Sequence, residues 1–300
     1  MKILVFYNPE SGAKNKSTEE FKNQIIYELN SDSKNNNEIV FNDILTETIN
    51  EDEIKKESAN IKALIISGGD GSISTFAKLA IENNIPLGIL PSGTFNNFAT
   101  DNGIPNEFKE ALKIIKQFKT TRIDAAIVND RYFVNNSSIG LYTTSVKIRE
   151  KIRKDYGLHK FIAMLFAIVK TFILFPMIYI EVENKVKIIK KKTPFVFIGN
   201  NKYEFNLLRT GNRKSLNDGT LHVYYSKCKT RLCLLKITLQ TIFNTQNSAE
   251  NIITKSVNEF TIYSKKKYLT VAADGEIFKM SSPLKYQIKP KSLLLIVPDK

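Results

Sequence analysis

Leu64-Ile65-Ile66-Ser67-Gly68-Gly69-Asp70-Gly71-Ser72-Ile73 is the stretch on which the reading of this chain turns. Apolar residues from Ala63 to Ile66 run into three glycines within four positions, and an amphipathic segment follows from Ser72. That order predicts a strand, a tight turn and a helix, a place where phosphate binds in an α/β sheet. Glycine admits positive φ and lets a ligand approach the backbone. The helix start offers N–H groups without intrahelical acceptors at the positive end of the dipole. Asp70 lies inside the turn, where a carboxylate would repel bare phosphate. It is expected instead near a magnesium ion, a ribose or a substrate hydroxyl; a structural βα turn with no ligand is the alternative.

Outward from this stretch the same pattern repeats. Lys2–Tyr7 reads as an apolar strand followed by the turn formers Asn8-Pro9-Glu10-Ser11-Gly12. Thr18 to Leu29 has helical spacing, with Phe21, Ile25, Ile26 and Leu29 on one side. A strand is expected at Ile39–Leu45, a short helix around Glu51–Ser58, a helix at Ser72–Asn83 and a strand at Pro86–Leu90. Strands alternating with helices at this spacing imply a doubly wound α/β layer with its ligand outside the carboxyl ends of the strands. The loops after Tyr7, Leu45, Ser67 and Leu90 all fall on that edge.

From Thr120 the pattern changes to short strands separated by turns, among them Ser256–Ser264, Pro283–Ile288 and Ser292–Val297, with a helix expected at Leu232–Phe243. This predicts a second, mostly antiparallel domain of sandwich type. Charge divides the same way. The chain carries 44 basic and 30 acidic residues for a formal net charge of +14. Residues 1–124 hold 14 basic and 18 acidic ones, net −4, and residues 125–300 hold 30 and 12, net +18. The boundary is therefore set near residue 124, and the basic half is expected to face an anionic partner. Phe161–Ile180 is strongly apolar, but Lys170 interrupts it and Pro176 ends any helix. A buried or membrane-surface helix of about 15 residues is expected rather than a span. Arg149, Lys151, Arg153, Lys154 and Lys160 just before it suit anionic headgroups.

Composition, at 42% hydrophobic and 25% charged, is that of a folded globular protein. Cys228 and Cys233 are too few for a disulfide framework or a four-ligand zinc site, which fits a reducing cytoplasm. His159 and His222 lie far apart with no partner motif. No Gly-x-x-x-x-Gly-Lys-Ser/Thr, Gly-x-Ser-x-Gly or His-Glu-x-x-His occurs, and no Gly-x-Gly-x-x-Gly follows the first strand. What remains are glycine-rich loops, Asn8–Gly12, Gly68–Ser72 and Gly93-Thr94-Phe95-Asn96-Asn97, which offer amides and hydroxyls to phosphates. Asp274-Gly275-Glu276 adds two carboxylates in a turn between strands.

These stretches, with Asp218-Gly219-Thr220-Leu221, follow the order of motifs in the diacylglycerol kinase and bacterial lipid kinase family, which the chain resembles over nearly its whole length. The resemblance implies a nucleotide-binding α/β domain at 1–124, a β-rich lipid-substrate domain at 125–300 whose last strand returns to the first, and an active site between them. It implies ATP and Mg2+ as cofactors. Glu276 becomes the general base, with Asp70 and Asp274 ordering magnesium-ATP and the acceptor hydroxyl. The nucleotide falls to Asn8, Gly12, Thr46, Gly68, Gly69, Asp70, Gly71, Ser72, Ile73, Ser74, Gly93, Thr94, Asn96 and Asn97. Asp218 becomes the ligand of a structural magnesium ion, completed by carbonyls of Ser215 and Thr220. Phosphoryl transfer needs positioning, charge neutralisation and one proton acceptor, which this set supplies.

The chain departs from the family pattern at Asn97, where Asp is usual, and near Thr75, where Glu is frequent. A lipid kinase acting peripherally on the cytoplasmic face of an anionic membrane is the reading that follows. The rivals are a nicotinamide-nucleotide kinase-like enzyme and a catalytically weak regulatory protein that binds membrane or nucleotide. The former leaves the basic half and the apolar helix unexplained. No nucleic-acid partner is expected, because the basic residues belong to no recognition module.

Overall fold

The computed structural model describes residues 1–9, 17–31, 37–46, 48–93, 96–175, 177–183, 188–203, 213, 215–233 and 252–299. The described strands form a mixed, partly parallel sheet and a separate antiparallel sheet, an α/β fold. The chain divides into two units, Met1–Ala125 with Lys289–Lys300, and Ala126–Ile288.

The first unit is built from β1 (Lys2–Tyr7), α1 (Thr18–Asn30), β2 (Glu38–Asp43), α2 (Glu51–Glu57), β3 (Ile61–Gly68), α3 (Asp70–Asn83), β4 (Leu87–Pro91), α4 (Asn97–Asp101) and α5 (Phe108–Gln117). β2, β1, β3 and β4 lie side by side and parallel. Buried strands of a parallel sheet are near-continuous apolar runs, and Leu64, Ile65 and Ile66 at its centre are fully buried. The helices start where their caps dictate. Ser17 Oγ accepts from the Glu20 N–H at α1, and Asn50 Oδ1 accepts from the Glu53 N–H at α2. α3 ends at Asn84, which takes the left-handed conformation at φ 52°. It begins at Asp70, two residues before the expected start, so the glycine turn is tighter than its sequence suggests.

β5 (Thr120–Val128) leads from the first unit into the second. There follow β6 (Arg131–Phe133), β7 (Asn136–Gly140), α6 (Leu141–Tyr156), α7 (Lys160–Leu174), β8 (Ile178–Glu183), β9 (Ile188–Thr193), β10 (Phe195–Asn200), β11 (Leu221–Ser226), β12 (Ile252–Val257), β13 (Glu259–Tyr263), β14 (Tyr268–Ala273), β15 (Glu276–Ser281) and β16 (Leu284–Ile296). The antiparallel sheet has the order β12-β11-β10-β7-β14-β15. Its inward residues, with those of β8, β13 and the first half of β16, form one core around Phe133, Ile139, Val196, Val271 and Tyr286.

Three expectations need correction. Pro283–Ile288 and Ser292–Val297, read as two strands, are one strand, β16. Lys289-Pro290-Lys291 looks like a turn but lies within the strand, with Lys291 at φ 49° and its N–H accepted at 2.8 Å by the buried Asp124 carboxylate. Ser256–Ser264, read as one strand, is broken at Asn258 into β12 and β13. Cys228 and Cys233 are joined in a disulfide, so they are not the two reduced thiols that a reducing compartment implies. Most of the helix expected at Leu232–Phe243 lies outside the described residues.

Leu64 tests the first unit's core. Leu64→Ala removes a fully buried side chain between two parallel neighbours. It should lower stability by about 2–5 kcal/mol, read as an earlier midpoint in urea with an unchanged slope.

Candidate active site

In the first unit the glycine loops are held together by close backbone approach. None of Gly68, Gly69 and Gly93 needs positive φ, so the conformational argument from sequence gives way to a steric one. A Cβ on Gly93 would stand 2.6 Å from Gly69 Cα, and one on Gly68 would stand 2.8 Å from Ser72 Cβ. Asn96 fixes the second loop. At φ 49° and buried, it accepts the Gly93 N–H through Oδ1 at 2.9 Å and donates from Nδ2 to the Gly93 carbonyl at 3.1 Å. Asp70 joins the two loops. Its carboxylate accepts the N–H of Phe98 at 2.9 Å and of Asn97 at 3.2 Å, at the start of α4.

The other sequence-expected residues of this unit sort by what they touch. Gly69 caps α3 without a side chain, so Asp70, Gly71 and Ser72 supply the first-turn amides that lack intrahelical acceptors. Ile73 is fully buried and its N–H closes on the Gly69 carbonyl at 3.0 Å. Its side chain packs in the core of the first unit. Ser74 is half-buried on the same helix, the Asn8 N–H bonds the Ser67 carbonyl at 3.4 Å, and Thr46 is exposed in the turn after β2. Gly12 and Thr94 lie outside the described residues.

In the second unit Asp274 and Gly275 are the two central residues of the hairpin between β14 and β15, with φ 47° and 87°. Positive φ at both positions is the requirement of a type I′ turn, which Asp-Gly meets. The Asp274 side chain is buried and crosses to the start of β7. Oδ2 accepts the Val134 N–H at 2.7 Å, and Oδ1 accepts those of Asn135 and Asn136 at 2.8 and 3.0 Å. Three backbone donors on one carboxylate make Asp274 a clamp that sets the hairpin in place. Glu276, the first residue of β15, is exposed.

Sequence reasoning missed the residues on the other side of that clamp. The buried Arg213 guanidinium donates to the Val134 carbonyl at 2.6 Å and to Asn135 Oδ1 at 3.1 Å, and Asn200 Nδ2 donates to the same carbonyl at 2.9 Å. The amides of Val134–Asn136 thus face a carboxylate and the Val134 carbonyl faces a cation. Arg213 and Asn200 stand isolated in the sequence and carry no local signal. Asp218 is exposed; its N–H is held by Asn201 Oδ1 at 3.1 Å, and the Asn201 N–H bonds the Thr220 carbonyl at 3.0 Å. Ser215 Oγ accepts the Asn217 N–H at 3.2 Å. Nearby His222 titrates below its ordinary value because it is desolvated, against the opposing charge of Asp218. Among the described residues no three His, Cys, Asp or Glu side chains cluster as metal ligands, so any cation here would rest on Asp218 with hydroxyl and carbonyl oxygens.

Residues 2–128 match the family model of the diacylglycerol kinase catalytic domain. A diacylglycerol kinase of Staphylococcus aureus is 32% identical over 159 residues, 51% of this chain and 48% of that protein. A probable YegS-like lipid kinase of Klebsiella pneumoniae is 37% identical over 102 residues, 33% of this chain and 34% of that protein. The aligned part thus spans a third to a half of these curated relatives. The solved structure of a putative diacylglycerol kinase from Bacillus anthracis shares the fold, with a TM-score of 0.74 and 20% identity over 99% of this chain and 97% of that one.

Asp274→Ala leaves three backbone donors without their acceptor. Each unmet buried donor costs about 1–3 kcal/mol, so the variant should lose several kcal/mol in denaturant titration. Gly93→Ala should also destabilise the fold, because its Cβ meets backbone rather than a flexible side chain. Wild-type melting of either variant would refute the corresponding contact.

Proposed function

We propose that the protein is an ATP-dependent lipid kinase, moving the γ-phosphate of ATP to a hydroxyl of a diacylglycerol-like membrane lipid. The observation that carries this is the family match of residues 2–128, the segment that includes both glycine loops and Asp70. We read the first unit, with the returning C-terminal segment, as a doubly wound nucleotide-binding domain and the second unit as a lipid-binding sandwich. The enzyme acts peripherally at the surface of an anionic membrane. In support, the chain is strongly basic, and no helix among the described residues is long and apolar enough to cross a bilayer.

The first-turn amides of α3 suit the phosphates, as the positive end of a helix does. Asp70 keeps the second glycine loop against this turn. Ser215, Asp218 and Thr220 offer only oxygen, the donor type that magnesium prefers. There the ion would neutralise Asp218 and stiffen the loop, while a magnesium ion carried with ATP would neutralise phosphate charge near Asp70. Glu276 accepts the proton of the lipid hydroxyl as its oxygen bonds to the γ-phosphorus and the bridging P–O bond to ADP breaks. The exposure of Glu276 suits a base that must meet a substrate, while Asp274 beneath it is fully engaged by amides.

Two measurements test this. Labelled γ-phosphate offered with a panel of membrane lipids should appear on at least one glycerolipid alcohol; labelling of none, or of a soluble nucleotide instead, would reject the proposal. On the acceptor so found, Glu276→Gln should lower turnover about 10²–10⁴-fold with stability within about 0.5 kcal/mol of wild type, as for exposed positions. Turnover unchanged in Glu276→Gln would remove it as the base.

A further inference from the structure

α6 and α7 form a helical hairpin; α6 ends at Gly157, which takes the left-handed conformation at φ 63°. After Lys160, the sequence of α7 is apolar except for Lys170 and Thr171, yet the helix turns its small residues inward. Ala163, Ala167 and Thr171, spaced about one turn apart, form its buried seam, and α6 packs against α7. Most of the described large side chains point to solvent, with Met164 and Phe172 half-buried. Leu165, Phe166, Ile168, Val169, Ile173 and Leu174 are each 50–58% exposed. An apolar patch of this kind on an otherwise ordinary surface marks an interaction site.

What covers it follows from charge and length. α6 carries five basic residues against two acidic ones. Glu150 is ion-paired with Arg149 at 2.8 Å and Arg153 at 3.4 Å, while Lys151 and Lys154 are exposed. A basic helix beside an exposed apolar helix is the pairing that suits anionic headgroups and the acyl chains beneath them. Fifteen residues of α-helix measure about 22 Å, short of the ~30 Å hydrocarbon core. The helix can lie in the interface but not cross it.

We propose that the outward face of α7, headed by Phe166 and Val169, is a wedge that inserts into one leaflet of an anionic bilayer while α6 grips the headgroups. This names the surface through which the lipid kinase reaches its acceptor, and it rests on that reading for the choice of a bilayer as partner.

The chain has no tryptophan, so Phe166→Trp creates a single reporter. The emission of this variant should shift to the blue on vesicles containing about 30% phosphatidylglycerol, and brominated acyl chains should quench it. Tyr27→Trp, at a 74% exposed site in the first unit, should do neither. Phe166→Asp with Val169→Asp should weaken vesicle binding at least tenfold while circular dichroism stays that of wild type. A vesicle-bound Phe166→Trp protein whose indole stays red and unquenched would overturn the wedge. So would a blue shift that needs only high protein concentration, because a second copy then covers the helix. Phosphate transfer is scored separately: insertion without transfer upholds the wedge and rejects the kinase, whereas transfer with an unquenched indole does the reverse.

Discussion

A carboxylate taken out of water must be met by donors, and at Asp274 three of them are backbone amides. The N–H groups of Val134, Asn135 and Asn136 converge on it, and an opposing set from Arg213 and Asn200 engages the Val134 carbonyl of the same stretch. An unpaired buried charge would cost far more than any local strain, so this segment and the hairpin are fixed relative to each other. The left-handed conformation of Asp274 is retained because these bonds over-determine it. Every other feature of the hairpin follows, including the start of β15 that presents Glu276.

The first unit repeats the chemistry in a lighter form. Asp70 also uses its carboxylate on backbone N–H groups, two rather than three, at the start of a five-residue helix. What Asp274 achieves by burial, the first unit achieves by excluding side chains, since Gly69 and Gly93 approach too closely for a Cβ on Gly93. In each motif the aspartate clamps a neighbouring segment. Its neighbours, the first-turn amides beside Asp70 and the exposed Glu276 beside Asp274, are the groups to which the proposed function assigns phosphate and proton. In that proposal positioning and chemistry fall on adjacent residues, which mutation can separate.

This division also explains what the sequence could reveal. β1, β3 and β4 were legible because a strand buried on both faces must be apolar throughout, and the glycine turns were legible because only glycine fits them. The partners of Asp70 and Asp274 were not, because backbone amides are identical in every residue and leave no mark on composition. Lys289-Pro290-Lys291 misled for a related reason. Its residues favour a turn locally, but the Asp124 carboxylate, distant in sequence, holds the Lys291 N–H within the continuous strand β16. α6 gave no apolar stripe to find, with only Thr143 and Val146 buried along sixteen residues. Its limits are written instead in Gly140 and Gly157, both at positive φ.

α7 shows where hydropathy stops being informative. An apolar run of this length fixes that a helix will avoid water, but not which side of it will do so. The deciding feature is the placing of its smallest residues. Ala163, Ala167 and Thr171 recur every four positions, and a seam of small side chains is where two helices can approach most closely. Once α6 has packed on α7, six bulky residues of α7 are left facing outward, while Met164 and Phe172 are half-buried. Leu165, Phe166 and Val169 are therefore exposed by the same packing that secures the hairpin. A soluble core would have reversed the arrangement, burying Phe and Leu and exposing Ala. A bilayer over the outer face of α7, as proposed, would account for the inversion.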